Sequence, residues 1–549
     1  MHRAPLATLV RSDALVGFST AQPEGFRLMR AEPGSSGGHR RGSMGGRVWL
    51  TAAIAAALLA ATGCTVTPSR DSSWADAADP SCVSFTQDLD RAIGRETHFD
   101  PTLGRIDGLP WLRTNRFLAG FDYVQLDDAE RQAWSGLGFA LARDAYLLEF
   151  DRLSAQSRDA LRARHGFETL GNRFDDCFAA LPAPPTLGRE AYAVPDGYRM
   201  SQRLLGLYPV TSLVARPFIA GYRRNMTDLY ESGASATFAR EARYRGQVGG
   251  ARQHDAEIRV DALGVPRLSP EQWRALFLRH QPELVSEIAS AADRIGSPFF
   301  DSDGRIGIDT ERPTVWIYAT FTRIDGRTLP QLNYAFWFPA RPAESPLDIY
   351  AGELAGLLWR VTLDEAQRPV LYDSIHRCGC YHKLFLPKGT TIDVSRISGE
   401  KPLFFRLDET VDTRRGLRLR LAAGNHYIID VDAPETGTGA IPYTLRPYAQ
   451  QLALPTPDGA ARSLYGADGI IRQSRRAERF LFWPLGIPSA GAMRQSGTHA
   501  TAFIGRRHFD APDLLDDLGI TIPRQTGVGP TQPTDLQELE SIFGANLSP

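Results

Sequence analysis

Hydrophobic positions recur every three or four residues in the first third of the chain, then alternate or run together after Pro313. Trp134, Leu137, Leu141, Ala145 and Leu148 form the one-sided stripe of an amphipathic helix. A second helix is expected after Ser154 and a third ending near Cys177, before "LPAPP" at 181–185 breaks the pattern. The run 203–221, "RLLGLYPVTSLVARPFIAG", is apolar but split by Pro209 and Pro217. It is read as core packing in preference to an element lying on a membrane surface. The polar, Gly-rich stretch 230–260 reads as a boundary. Ser269-Pro270-Glu271-Gln272 then combines an N-cap, a first-turn proline and a capping box. That helix should end before Pro282, with His280 at its C-terminal end, where the helix dipole favours a cation.

The strand texture begins with "TVWIYATFTRI" and "LPQLNYAFWF", which flank Asp325-Gly326, a strong hairpin signal. "LAGLLWRVTL" and "PVLYDSI" around "DEAQR" form a second expected hairpin. Short strands are expected at 403–408, 417–422 and 426–431. Aromatics on both faces of the first strands imply a sheet covered on both sides. The fold class is therefore α+β: a helical domain at 81–245, then a larger strand-rich, antiparallel domain at 246–530, with a flexible tail at 531–549.

The N-terminus speaks to location. Val48 to Ala61 is an apolar run behind Arg47, shorter than the about 20 residues that span a membrane. It ends in Thr62-Gly63-Cys64. A basic start, an apolar stretch and small residues read as a secretory signal. The small residues before Cys64 resemble the lipobox of bacterial lipoproteins, with Ala61 where Leu is usual. That resemblance implies signal removal, acylation of Cys64 and a membrane attachment through the lipid. Thr65 in place of Asp implies outer-membrane sorting, with the body facing the periplasm. Residues 1–43 then read as a leader or an over-extended gene start, 44–63 as the signal and 64–80 as a polar tether.

Composition adds little beyond this. The chain has 549 residues, 43% hydrophobic and 23% charged, with net charge −1. No global basic field directs it to nucleic acid. Lys occurs only at Lys383, Lys388 and Lys401, the other basic residues being Arg. In an envelope compartment disulfides are permitted. The remaining cysteines divide naturally into Cys82 with Cys177, a structural staple, and Cys378 with Cys380.

The second pair sits in "IHRCGCYH", residues 375–382. His376, Cys378, Cys380 and His382 share one parity and are symmetric about Gly379. In a straight strand the two His lie about 20 Å apart at ~3.3 Å per residue, and one metal cannot reach both. A turn at Gly379 would gather two thiolates and two imidazoles, a donor set suited to zinc or copper. A strained, reducible Cys378–Cys380 disulfide and a Cys activated by a neighbouring His are the competing readings.

A second cluster, "QSGTHATAFIGRRHFD" at 495–510, carries His499, Arg506, Arg507, His508 and Asp510. Arg forks bind carboxylate or phosphate, and His508 with Asp510 would make an oriented base. His499, Arg506 and His508 are the candidate catalytic groups, against the plainer reading of a polar loop. His426, Asp430 and Asp432 share a strand face best explained by solvation, and "DSDG" at 301–304 reads as a tight turn. Motifs for P-loop, α/β-hydrolase, zincin, thioredoxin-like and c-type haem chemistry are missing. The mature part resembles uncharacterised proteobacterial envelope proteins carrying "SIHxCGCYH" and "HATAFxGRRHFD" segments. That resemblance implies location and no mechanism.

Three functions follow as expectations. The first is a lipid-anchored envelope protein holding a transition metal at the four His/Cys positions. The second is a metal-dependent hydrolase or thiol oxidoreductase, which requires one pocket uniting both His-rich segments. The third is an envelope-assembly scaffold with a CxC disulfide, which calls for an exposed apolar patch.

Overall fold

Asp79 caps the first helix: its carboxylate accepts the Ser81 N–H at 2.7 Å, and Pro80 takes the first helical turn of α1, Pro80–Glu96. The structure is a computed structural model that describes residues 79–180, 186–246, 259–435 and 439–523. The leader, the apolar segment 48–61, Cys64 and the 531–549 tail lie outside the described residues.

Three helices follow, α2 (Asp128–Asp151), α3 (Ala155–His165) and α4 (Leu170–Ala179), each with a side-chain cap from Asp127, Ser154 or Thr169. The expected helices after Ser154 and up to Cys177 are therefore present. Cys82 on α1 and Cys177 on α4 are disulfide-bonded, with Cα atoms 5.6 Å apart. Phe85 packs edge-on against Phe174 beside the bond. On the other side of α2, the Arg113 guanidinium meets Glu149 through two buried hydrogen bonds of 2.6 and 2.7 Å. The Asp100 N–H also donates to this carboxylate at 2.8 Å.

The apolar run 203–221 departs from its expected burial. It forms α5 (Met200–Leu205) and much of α6 (Tyr208–Gly233), and α6 continues through Pro217. Of α6 only Ser212, Met226 and Gly233 are buried. The reason lies in spacing: the apolar residues circle the helix, and only one side of it meets the sheet.

Eleven strands make the main sheet: β1 (Glu241–Gly246), β2 (Glu283–Glu287), β3 (Thr314–Ile324), β4 (Arg327–Arg341), β5 (Gly352–Leu363), β6 (Pro369–His376), β7 (Lys383–Leu386), β8 (Leu403–Arg406), β9 (Arg418–Leu421), β10 (Ile428–Asp432) and β11 (Ile441–Pro447). Their spatial order is β8-β7-β6-β5-β4-β3-β11-β1-β2-β9-β10. The meander β3–β7 is antiparallel, as the hairpin signals implied. Asp325 and Gly326 both have positive φ, the conformation of a tight two-residue hairpin turn. Pairing is mixed beyond the meander: β7/β8, β3/β11, β1/β11 and β2/β9 are parallel.

The helix α7 (Pro270–His280) carries the expected capping box and lays Trp273 and Phe277 against Phe321 and Tyr334 of the sheet. Its His280 is not a dipole-stabilised cation. The ring is buried, and burial pushes its pKa down to about 3. Trp134 and Phe174 of the helical part share one buried cluster with Trp273, Tyr334 and Trp359 of the strand-rich part. The described residues form one compact unit, so the polar stretch after residue 230 leads into β1 rather than separating two cores.

Replacing Arg113 by Met leaves the Glu149 carboxylate buried without its partner. The expected cost is about 3–5 kcal/mol, read as a drop in the denaturation midpoint at unchanged slope. A midpoint within error of the parent would show that the pair does not hold α2 to the two-stranded hairpin Gly104–Ile106/Leu109–Thr114 that carries Arg113.

Candidate functional site

The chain reverses at Gly379, whose φ is +92°. The His376 carbonyl accepts the Gly379 N–H at 2.7 Å, and the Cys380 carbonyl accepts the His376 N–H at 2.9 Å. Any Cβ on residue 379 would stand 2.6 Å from the Ala500 carbonyl oxygen, so glycine is needed for the turn and for close packing. The turn brings the two cysteines together as free thiols, Cys378 buried and Cys380 partly so.

The histidines do not join them. The β6–β7 register pairs Ser374 with Lys383, which places Tyr381, not His382, opposite His376. The symmetry about Gly379 is thereby offset by one residue, and one residue moves a side chain to the other face of a strand. His376 packs against the rings of Tyr381 and Tyr427 at 4.8 and 5.3 Å. His382 turns instead to Asp373, its Nε2 lying 3.0 Å from Oδ2. Among the described residues no group of three or more His, Cys, Asp or Glu is arranged to hold a metal ion. The expected zinc or copper set His376, Cys378, Cys380 and His382 does not fit a four-donor site, and only its sulfurs remain together.

Asp373 is fully buried and also receives Arg360, with hydrogen bonds of 2.8 and 2.5 Å. Burial opposes its ionisation, but Arg360 and then His382 hold the carboxyl below its usual range. Arg360 Nη1 donates onward to the Phe509 carbonyl at 2.6 Å, tying the 495–510 segment to β5, the neighbour of the strand that ends at the turn. His499 reinforces the contact: its Nε2 lies 3.1 Å from the Arg377 carbonyl oxygen.

The 495–510 segment thus comes to Gly379, but it places His499 on the Arg377 carbonyl and Arg506 with His508 on Asp196, so the three candidate catalytic groups do not meet. Burial drives the His499 pKa down to about 3. Arg506 and His508 both converge on Asp196; His508 Nε2 lies 3.0 Å from Asp196 Oδ1 and 3.1 Å from the Gly197 nitrogen, and one ring nitrogen serves only one of them at a time. Asp510 pairs with Arg116 at 3.1 Å instead of orienting His508. His426 faces Asp293 at 3.4 Å and stacks on Phe338, apart from Asp430 and Asp432. "DSDG" is a turn in which Asp301 Oδ1 accepts the N–H groups of Asp303 and Arg305.

What the segments do share is a cavity of about 500 Å³. Cys378, Gly379, Cys380 and Tyr381 line it on one side and Ala500 to Phe503 with Arg507 on another; Glu400 and Glu478 add carboxyls, and Val214, Phe218 and Tyr222 of α6 add an apolar wall. A second cavity of about 450 Å³ lies across the same segment, lined by His499, Phe509 and Asp510 with Arg116, Asn333 and Arg360. The thiols face only the first.

The thiols are unequal. A hydrogen bond from Cys380 lowers the Cys378 pKa, and the Arg476 and Arg494 guanidiniums lower it further against the effect of burial. Arg494 Nε also donates to the Cys378 carbonyl at 3.2 Å. Cys380 is raised by donating that hydrogen bond and by burial. Glu478 is pushed up to about 8, first by burial and then by Cys378. Lys383, one of three lysines, is buried with Nζ donating to the Ile428 carbonyl at 2.7 Å, and burial lowers its pKa to about 7. Arg476, Glu478 and Arg494 were not legible as site residues: the abundance of arginine hid the two guanidiniums, and Glu478 lies outside both His-rich segments. Comparison with protein-family models, curated proteins and solved structures finds no match.

Two measurements test this description. Asp373→Asn should cost about 3–5 kcal/mol in chemical denaturation, because it strands Arg360 inside the sheet; a cost under about 1 kcal/mol would mean that the pair behaves as if exposed. Glu478 carries a folded pKa of about 8 against an ordinary value of 4.5. The native state therefore holds a proton that the unfolded state lacks between those values, and stability falls as pH rises through that window, by up to about 5 kcal/mol. Glu478→Gln should flatten the decline in thermal unfolding temperature from pH 5 to pH 8; an unchanged decline would assign it to other groups.

Proposed function

We propose that this chain is a thiol oxidoreductase of the cell envelope, anchored by a lipid on Cys64 and facing the periplasm from the outer membrane. The observation that carries the redox reading is the pair of free thiols on one tight turn, lining a cavity beside Arg476 and Arg494. Buried guanidiniums favour a thiolate there, and a thiolate is the form that attacks disulfides. The envelope placement rests on the lipobox-like residues before Cys64 and on the resemblance to envelope proteins.

The exchange is balanced within the pair. The Cys378 thiolate attacks one sulfur of a substrate disulfide, forming a mixed disulfide and expelling the other substrate sulfur as a thiolate. Cys380 then loses its proton and attacks the Cys378 sulfur, expelling the second substrate thiolate. The products are a Cys378–Cys380 disulfide and a reduced substrate dithiol, two electrons having passed to the substrate. Glu478, protonated near neutral pH and next to Cys378, can donate its proton to the expelled substrate thiolate, and the carboxylate so formed can then accept the proton that Cys380 loses. The turn limits the ring to three residues, and a tight ring returns its oxidising equivalents readily.

Alkylation tests the assignment of roles. Maleimide should modify Cys378 with a pH midpoint below the ~8.5 of an ordinary thiol. Cys380→Ser, which keeps a weaker donor at that position, should raise the midpoint toward the ordinary value. Glu478→Gln, which replaces a carboxyl already protonated below about pH 8 by another neutral group, should leave the midpoint nearly unchanged. A redox titration of the parent against glutathione should show two thiols disappearing together, and that loss should vanish in Cys378→Ser. Thiols that titrate as ordinary cysteines and never pair would overturn the redox reading.

A further inference from the structure

The cavity wall continues outward into a broad apolar face. Leu204, Leu205 and Phe218 are 78%, 76% and 74% exposed, and Phe480 is 70% exposed. Met200, Leu207, Val210, Leu213, Val214, Leu481 and Trp483 are exposed alongside them. These residues belong to α5, α6 and the link between them, and to the short helix α8 (Arg479–Phe482) with the turn after it, pieces that pack together as one surface. Arg203 Nε donates to the Leu485 carbonyl at 2.9 Å, the Arg199 N–H donates to the Gly486 carbonyl at 2.8 Å, and a Cβ on Gly206 would meet Pro484 at 2.4 Å. The face is therefore held in place rather than extended by chance. A soluble surface seldom leaves so many large apolar side chains contiguous.

Charge distinguishes what covers it. From Arg199 to Thr227 the sequence holds five Arg and no Asp or Glu, although the chain as a whole has net charge −1. Arg199, Arg216 and Arg224 are exposed on these helices, and Lys401 is exposed at the cavity. An apolar face rimmed by cations matches the acyl boundary and anionic headgroups of a bilayer. No helix among the described residues is long and apolar enough to cross a membrane, so contact would be from one side. Val214, Phe218 and Leu481 are both exposed and part of the cavity lining.

We propose that the α5–α6–α8 face docks on the surface of an anionic bilayer, and that the cavity holding Cys378 and Cys380 opens within the docked face. The docking is separate from any lipid on Cys64. The cavity mouth then admits amphipathic molecules carried by the bilayer, an assignment that deepens the thiol reading above by naming the class of molecule that reaches the pair.

The full-length chain is mixed with vesicles of brominated phosphatidylcholine and phosphatidylglycerol, and tryptophan emission is followed. Bromine quenches only indole that enters the acyl region. The difference between the parent and Trp483→Phe isolates Trp483. That component should be quenched at least two-fold, and Leu205→Glu with Phe218→Glu, both at exposed positions that folding does not require, should abolish the quenching even in protein that stays on the vesicle by another attachment. Vesicles of phosphatidylcholine alone should quench less. A Trp483 component indifferent to bromine would overturn the docking. So would a self-association that Leu205→Glu disperses without any quenching, which would assign the face to a second copy of this chain. On the same vesicles, a maleimide carried on an acyl chain should modify Cys378 or Cys380 faster than a charged water-soluble maleimide. The reverse order would overturn the position of the mouth. Thiols inert to both reagents, with quenching intact, would count against the thiol chemistry and leave the docking standing.

Discussion

The buried carboxylate of Asp373 holds the site together. It receives two hydrogen bonds from Arg360 on the neighbouring strand and faces His382 beyond the turn. Through Arg360 it is linked to the Phe509 carbonyl, and the Phe509 ring lies 3.6 Å from that guanidinium. An ion pair sealed from water stabilises little by itself, because desolvation offsets most of the attraction. What it enforces is uniqueness: every alternative arrangement of these strands and of the 495–510 segment leaves a charge stranded. The turn bearing the thiols inherits its position from this constraint.

From that constraint follow both the success of the cysteine geometry and the failure of the metal site. Once Ser374 pairs with Lys383, His376 is committed to an aromatic pocket and His382 to a carboxylate. Each imidazole then has local packing that accounts for it. The two sulfurs, nearest the turn, meet in this register. Arg476 and Arg494 arrive from distant segments, and their contribution to the Cys378 environment is a property of the tertiary structure alone.

This difference explains what was legible in the chain. The helix with its capping box at Ser269 and the Asp325-Gly326 hairpin are written locally, in caps and turn residues, and the Cys82–Cys177 pairing in the way the cysteines divide along the chain; all three stand as expected. The turn at Gly379 was one of two geometries the residues allowed. The one-residue offset was not legible, since the positive φ of Tyr381 that accompanies it contradicts ordinary preference for an aromatic. The parallel partner of β3, β11, is remote in sequence, and alternation carries no information about which edge a strand joins. The apolar run at 203–221 misled for a related reason. Hydrophobicity reports what a segment avoids, not whether the fold supplies a partner for it.

The disulfide between α1 and α4 has a consequence for biogenesis. Cys177, the later of its two cysteines, precedes Cys378 by about two hundred residues of chain, and the helices that carry the pair pack with one another through Phe85 and Phe174. Because domains assemble from the N-terminus as the chain lengthens, Cys82 and Cys177 can meet and close before the later pair exists to compete. Of the three ways to pair four cysteines, the order of emergence selects the one that leaves the CxC turn unspent. The position of a structural bond early in the chain thus acts as a kinetic safeguard for a reactive pair placed late.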